Sequence, residues 1–233
     1  MVALFVVLTI VLCVAVDSIV QWRKSRNEEE ARQLANRLAP TYEFEKVSAP
    51  SDVFLDTGHT WVHVAPTGRA DVGLDSFAQK IIGRIDAVVL PEVGKEVHRG
   101  DMLFAVCQGN RRAAFASPVD GIVTSVDKNL AWHPETIQSD PYNEGWVCSL
   151  APRNLSQDLK QLRLADDANT WLKDELYRFQ EFFAARPLDD TKLGQVLQNG
   201  GRPDGGVLEL MDEATWKQFN EVFLRPQSGA TIH

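Results

Sequence analysis

The sequence predicts a mainly β domain with helical additions at both ends, and three observations support this class. Between residues 41 and 153, short apolar and β-branched segments alternate with turn residues, which is typical of a small all-β sandwich or barrel. Residues 1–16 are apolar apart from Thr9, which predicts an N-terminal transmembrane helix. After residue 153, apolar residues recur at three- and four-residue spacing, which predicts C-terminal helices.

The composition argues against several classes of function. With a formal net charge of -8, the chain is not expected to be a general nucleic-acid binder, because neutralising phosphates requires a basic face. Cys13, Cys107 and Cys148 are widely spaced and form no CxxC pair, so the sequence indicates neither a zinc site nor a disulfide framework. The histidines and carboxylates form no catalytic motif. We therefore predict a protein that is not an enzyme and has no small-molecule substrate.

The first segment, residues 1–20, is predicted to be an uncleaved membrane anchor. A helix of about twenty residues spans roughly 30 Å, the thickness of a bilayer's hydrocarbon core. A cleaved signal peptide, which would export the domain, is the alternative, but the basic cluster at residues 23–26 follows the span instead of preceding it. The positive-inside rule then predicts a single-pass protein of a bacterial inner membrane with a cytoplasmic soluble domain. The anchoring side chains are expected to be Val2, Leu4, Phe5, Leu8, Leu12 and Val16.

The remaining boundaries follow from shifts in composition and period. Residues 21–40 are charged and rich in helix formers, with Glu28 four residues before Arg32, and are predicted to form a helical stalk. The β domain follows over residues 41–153. Beyond it we predict a helical segment at 154–187, a helical C-terminal extension at 188–225 and a disordered tail at 226–233.

Within these segments, alternation and turn residues predict the individual elements. A short helix over residues 75–82 should begin at Asp75, whose carboxylate can cap it. The strand candidates are residues 53–55, 60–65, 70–74, 82–89, 102–106, 112–116, 121–126 and 145–150. The later helix candidates are residues 155–164, 166–184 and 213–223, the last capped by Asp212 and buried through Trp216, Phe219 and Phe223.

Five short motifs in the β domain carry a family resemblance, because their order and spacing agree with those of one group of proteins. They are GHTWV at 58–62, LDSFAQKIIG at 74–83, VLPEVG at 89–94, SPVDG at 117–121 and DPYNEGW at 140–146. This set resembles the H-proteins of the glycine cleavage system. The resemblance covers residues 52–152 and implies a barrel-sandwich hybrid of the lipoyl-domain type.

The resemblance also implies a lysine in a hairpin turn, which carries lipoic acid as a swinging arm. Counting ten residues forward from Gly100, or eight back from Pro118, places that lysine at Asn110. An asparagine amide is not nucleophilic, so it cannot form the amide bond to lipoate. Lys95 and Lys128 are the nearest lysines in sequence, and both fall outside the turn. We therefore expect no lipoyl group and predict no other cofactor.

Two interpretations of the altered turn remain open. It is either a tolerated surface turn, in which Gly109 and Asn110 supply left-handed conformations, or a docking surface for an acidic or phosphate-bearing partner. The second interpretation relies on the fork geometry of arginine. Its candidate docking residues are Gln108, Asn110, Arg111 and Arg112.

The function that the sequence favours is a scaffold. We expect a membrane-anchored, non-lipoylated binding subunit of a larger complex, whose partners are other, membrane-associated protein subunits. The aromatic residues of the C-terminal helices are expected to form core, and any exposed surplus would suit an interface. The alternative is a carrier of a different covalent group, or an accessory transfer protein that acts through Cys107.

Overall fold

The structure, a computed structural model, describes residues 47–184 and 206–225. The predicted anchor at 1–20, the stalk at 21–40 and the tail at 226–233 lie outside the described residues, as does the first half of the C-terminal extension. Among the residues that are described, no helix has the length and apolar character that crossing a bilayer requires.

The described chain begins as a series of short strands and continues as helices. The strands are β1 (Val53–Leu55), β2 (Thr60–Val64), β3 (Ala70–Leu74), β4 (Ala87–Val89), β5 (Glu96–Val97), β6 (Met102–Gln108), β7 (Arg111–Ala116), β8 (Gly121–Val126), β9 (Cys148–Pro152) and β10 (Arg163–Leu164). The α-helices are α1 (Ser76–Ile82), α2 (Thr136–Ser139), α3 (Leu155–Asp158), α4 (Ala165–Ala184) and α5 (Glu213–Phe223). Turns of 3-10 helix lie at Lys128–Ala131, Leu159–Gln161 and Val207–Leu210.

Two antiparallel sheets enclose the core of the domain. The larger sheet has the strand order β10-β1-β2-β3-β9-β8-β5, and the smaller sheet has the order β4-β6-β7. Trp61 and Leu74 from the larger sheet and Phe104 and Phe115 from the smaller one are buried in a single hydrophobic cluster. This arrangement confirms the predicted mainly β class with C-terminal helices.

Most of the predicted elements agree with the structure, and three agree only in part. The strand predicted at 145–150 begins only at Cys148, as β9. The helix after Asp75 is confirmed, because the Asp75 carboxylate accepts a hydrogen bond from the backbone nitrogen of Ala78 at 2.9 Å. The strand predicted at 82–89 is wrong in its first half, since Ile82 still belongs to α1. The helix predicted at 155–164 is confirmed in its first part, as α3 and the 3-10 turn that follows it, and is wrong at its end, because residues 163–164 form β10 and complete the hydrogen bonding of β1.

The C-terminal helices pack on the β domain through their aromatic side chains. As predicted, Asp212 caps α5 by accepting a hydrogen bond from the backbone nitrogen of Thr215 at 2.7 Å. The aromatic cluster that joins α4, α5 and α1 consists of Phe77, Phe179, Phe182, Phe183, Phe219 and Phe223. All of its members are buried, so these aromatic residues form core, whereas Tyr177 on α4 is exposed. We call residues 206–225, which include α5, the C-terminal cap.

Candidate functional site

The hairpin of β6 and β7 keeps strand pairing up to its tip. Gln108 pairs with Arg111, which leaves Gly109 and Asn110 as a two-residue turn. Gly109 adopts a positive φ of 56°, as predicted, and its backbone nitrogen donates to the Asp86 carboxylate at 2.7 Å. The prediction of a left-handed Asn110 is wrong, because positive φ at this turn is confined to the glycine. The Asn110 side chain is exposed at the position where the resemblance places the lipoyl-lysine.

Gln108 connects the base of this turn to two other parts of the molecule. The residue is only 8% exposed. Its Nε2 donates to the carbonyl oxygens of Ile82 at 2.9 Å and Arg84 at 2.8 Å, just after α1. The same nitrogen donates to the Glu209 carboxylate of the C-terminal cap at 3.0 Å. The amide nitrogen of Gln108 therefore binds acceptors of the same chain and is not available to a partner protein.

Arg111 points toward the C-terminal cap. Its two terminal nitrogens donate to the carbonyl oxygens of Leu208 at 3.1 Å and Met211 at 2.7 Å. The guanidinium carbon also lies 5.4 Å from the centre of the Trp216 ring, within the range of a cation–π contact. The fork geometry that the docking prediction assigned to Arg111 is thus used on carbonyls of the same chain.

Arg112 contributes its backbone to the cap and turns its side chain outward. Its carbonyl oxygen accepts hydrogen bonds from Trp216 Nε1 at 3.3 Å and Asn220 Nδ2 at 2.9 Å. Its guanidinium is exposed and lies 3.9 Å from the sulfur of Met102. Of the four predicted docking residues, Asn110 and Arg112 therefore present side chains to solvent, and the docking surface itself stays a prediction.

A cleft of about 370 Å³ lies between the hairpin turn and the C-terminal cap. Its walls carry both signs of charge, with Arg84 and Arg111 facing Glu209 and Glu213. Asn110 lies on the hairpin side of the cleft. The sequence offered no signal for this juxtaposition, because the hairpin and the cap are about 100 residues apart.

His59 is the centre of a buried charge network that the sequence did not reveal. Its ring lies between those of Phe77 and Trp171, with centroids 4.2 and 5.0 Å away. Nδ1 donates to the Asp75 carboxylate at 2.8 Å, and Nε2 lies 3.7 Å from a carboxylate oxygen of Glu175. Burial lowers the pKa of His59, but the two carboxylates outweigh it and raise the pKa to about 9. The imidazolium therefore joins the β1–β2 turn to α1 and α4.

The cysteines of the described chain do not form a reactive pair. Cys107 is half-buried in β6 and is a free thiol. Cys148 is fully buried, and burial, reinforced by Asp71, raises the pKa of its thiol to about 12, which keeps it protonated. Across the two described ranges, no three His, Cys, Asp or Glu side chains meet in a group that could hold a metal ion.

Comparison with known proteins relates the β domain to one family. Residues 54–175 match the family model of the glycine cleavage H-protein. The chain is 41% identical over 115 residues to a probable glycine cleavage system H protein of Pyrococcus furiosus, across 49% of this chain and 85% of that protein. It is 34% identical over 108 residues to the glycine cleavage system H protein of Hydrogenovibrio crunogenus, across 46% of this chain and 84% of that protein.

A solved structure gives a similar alignment. The crystal structure of a glycine cleavage system H protein from Mycobacterium marinum aligns with 31% sequence identity and a TM-score of 0.42. The alignment covers 45% of this chain and 86% of that one. Since the family model spans residues 54–175, more than half of the sequence, the chain belongs to the glycine cleavage H-protein family.

Proposed function

We propose that this chain is a non-lipoylated H-protein-like subunit that binds other proteins in a larger complex. In this proposal, residues 1–20 anchor it in a bacterial inner membrane and the β domain lies on the cytoplasmic side. The single observation that carries the proposal is Asn110, which occupies the exposed turn of an intact hairpin where the family resemblance requires a lysine. The fold of a carrier is kept while its attachment point is absent.

The chemistry of the turn supports the loss of the carrier role. Attachment of lipoate requires a free amine at the tip, and neither the Asn110 amide nor the protonated guanidinium of Arg111 supplies one. Lys95 lies on another turn, where its Nζ donates to the Met102 carbonyl at 3.3 Å. Lys128 begins a 3-10 turn after β8. Neither lysine is placed at the hairpin tip, so neither substitutes for the missing residue.

Exposed aromatic side chains support a role in binding proteins. Trp132 is 83% exposed in the loop before α2, and Tyr177 is 67% exposed on α4. A solvent-exposed tryptophan has a large apolar surface that a protein partner can bury. Tryptophan is also enriched among the interface residues that contribute most of the binding energy. Trp132 is therefore the residue that we expect to contribute most to an interface.

The absence of a carried group can be tested by intact-mass spectrometry of the protein purified from its own cells. We expect the intact protein to have the mass of the unmodified chain, and the hairpin peptide obtained by digestion to carry no adduct. A lipoyl or other acyl adduct on that peptide would contradict the proposal. An adduct on Cys107 would support the alternative of an accessory transfer protein.

The scaffold role can be tested by detergent extraction of membranes followed by affinity purification. We expect the chain in the membrane fraction together with defined protein partners. Trp132→Ala should reduce partner recovery without changing the melting temperature. Val93→Ala, which truncates an exposed apolar side chain on another turn, serves as the control and should leave partner recovery unchanged. A monodisperse monomer that co-purifies with no partner would contradict the scaffold role.

A further inference from the structure

The C-terminal cap is built against the hairpin at close range. Its first residue, Gly206, leaves no room for a side chain, because an added Cβ would lie 2.2 Å from the backbone nitrogen of Gly83. The cap then buries a set of apolar side chains against α1, β7 and α4. They are Val207, Leu208, Met211, Trp216, Phe219, Phe223 and Leu224. The cap is therefore part of the folded core and not a loosely attached tail.

Its contacts on the hairpin are also directional and polar. Arg111 donates to two carbonyls of the cap, while the Arg112 carbonyl accepts from Trp216 and Asn220. The charged Arg111 donors on two carbonyls, together with the indole and amide donors on the Arg112 carbonyl, fix both the position and the orientation of the cap. Gln108 adds a third link through Glu209. The cap thus holds residues on both sides of the exposed turn.

The cap lies on the outer edge of the hairpin. β7 is an edge strand of the three-stranded sheet, and the outward backbone groups of an edge strand are a ready template for pairing. Here α5 occupies that edge at Arg112, whose carbonyl oxygen accepts hydrogen bonds from two side chains of the helix. The two-residue turn and the Arg112 side chain remain open to solvent, as do Ala114 of β7 and Met102 of β6.

We propose that the C-terminal cap, a segment of the same chain, occupies the docking surface of the hairpin. In this position the cap blocks any protein that must bind the outer edge of β7. Such a protein binds only the conformation in which the cap has moved away. Its apparent affinity is then lowered by the fraction of molecules in that open conformation. The inference concerns access to the hairpin and does not require the scaffold role to be correct.

Access can be measured with a reporter at the turn. Asn110→Lys in the full chain introduces an amine that a lipoate–protein ligase can acylate with ATP and lipoate, because the amine attacks the carbonyl of lipoyl-adenylate and AMP leaves. The test variant adds Trp216→Ala and Asn220→Ala, which remove both hydrogen bonds to Arg112. The matched control adds Trp132→Ala, which truncates an exposed tryptophan in the loop before α2.

We expect acylation to be slow with Asn110→Lys alone and at least about tenfold faster when the cap is opened, as for a competent state populated below about 10%. The control should behave as Asn110→Lys alone. Equal rates with the cap closed and opened, whether both fast or both negligible, would overturn the inference.

A second variant distinguishes opening of the cap from misfolding of the domain. Gly206→Ala in the Asn110→Lys background pushes the cap away from α1 without changing any hairpin contact directly. It should accelerate acylation in the same direction, and hydrogen exchange confirms for each variant that the β domain stays folded. An acyl adduct on the natural chain would contradict the proposed function but would not affect the comparison of acylation rates between these variants. Failure of the proposed function and failure of this inference are therefore distinguishable.

Discussion

Gly206 and Gly83 are in backbone contact, and this contact joins the C-terminal cap to the end of α1. A Cβ on Gly206 would lie 2.2 Å from Gly83 N, 2.3 Å from the carbonyl carbon of Ile82 and 2.4 Å from the carbonyl oxygen of Ile81. All three neighbours are backbone atoms, which cannot rotate out of the way. The residue at 206 therefore decides how closely the cap approaches the β domain.

The first prediction concerns that contact. Gly206→Ala should lower the free energy of unfolding by about 1–3 kcal/mol, because overpacking forces the backbone of the cap to shift. Hydrogen exchange should rise in residues 206–225, while the strands stay protected. Gly68→Ala is the control. Gly68 has a φ of 82° but open space around it, so an alanine there should strain only the β2–β3 turn and leave the cap protected. Equal protection of the cap in the two variants would contradict this account.

The second prediction separates the two adjacent arginines. Arg111→Ala removes two hydrogen bonds to the cap and the contact with Trp216, so it should cost about 1–3 kcal/mol of unfolding free energy. Arg112→Ala should cost no more than about 0.5 kcal/mol, since its exposed side chain contacts only the Met102 sulfur in the described structure. Denaturant titration of both variants makes the comparison. A larger loss for Arg112→Ala would show that the cap is held differently.

The contrast between these arginines also explains how far the sequence could predict this structure. The turn at Asn110 was predictable, because strand alternation and the counts from Gly100 and Pro118 are local or family-wide patterns. The helix caps at Asp75 and Asp212 were predictable for the same local reason.

The position of the cap was not predictable. Its hydrogen bonds join residues 97 to 108 positions apart, and the acceptors for Arg111 are backbone carbonyls, which every residue type offers. The sequence therefore predicted that the aromatic stripe of α5 is buried but contained no pattern for where it packs. The network of His59 was unpredictable for the same reason, because its partner Glu175 looks in the sequence like any surface carboxylate on a helix.

The third prediction tests the buried amide of Gln108. Gln108→Glu should destabilise the protein by about 1–3 kcal/mol at neutral pH, because a carboxylate would replace a donor that faces two carbonyls and Glu209. The loss should shrink at acidic pH, where the new side chain is protonated and can donate again. Gln108→Met, which keeps the size but not the polarity, should show no such pH dependence. Identical pH profiles for the two variants would contradict this role of the amide.

The fourth prediction follows from the raised pKa of His59. The pKa is about 9 in the folded protein and 6.5 in the unfolded chain, so folding favours the protonated ring. The stabilisation is complete below pH 6.5 and is lost as the pH rises through the folded pKa. Each pKa unit corresponds to about 1.4 kcal/mol, so the unfolding free energy should fall by on the order of 3 kcal/mol between pH 6.5 and 9.

The test of this prediction uses both the parent chain and a variant. His59→Asn suits the backbone, because asparagine tolerates the φ of 61° found here, and its amide can still donate to Asp75. This variant should be less stable at pH 6 but should lose the decline between pH 6.5 and 9, whereas His133→Asn, in an exposed loop, should keep it. An NMR titration of the His59 ring in the parent chain gives the pKa directly. A midpoint below 6.5 would mean that burial outweighs the attraction of Asp75 and Glu175, and that the ring is neutral at the centre of this network.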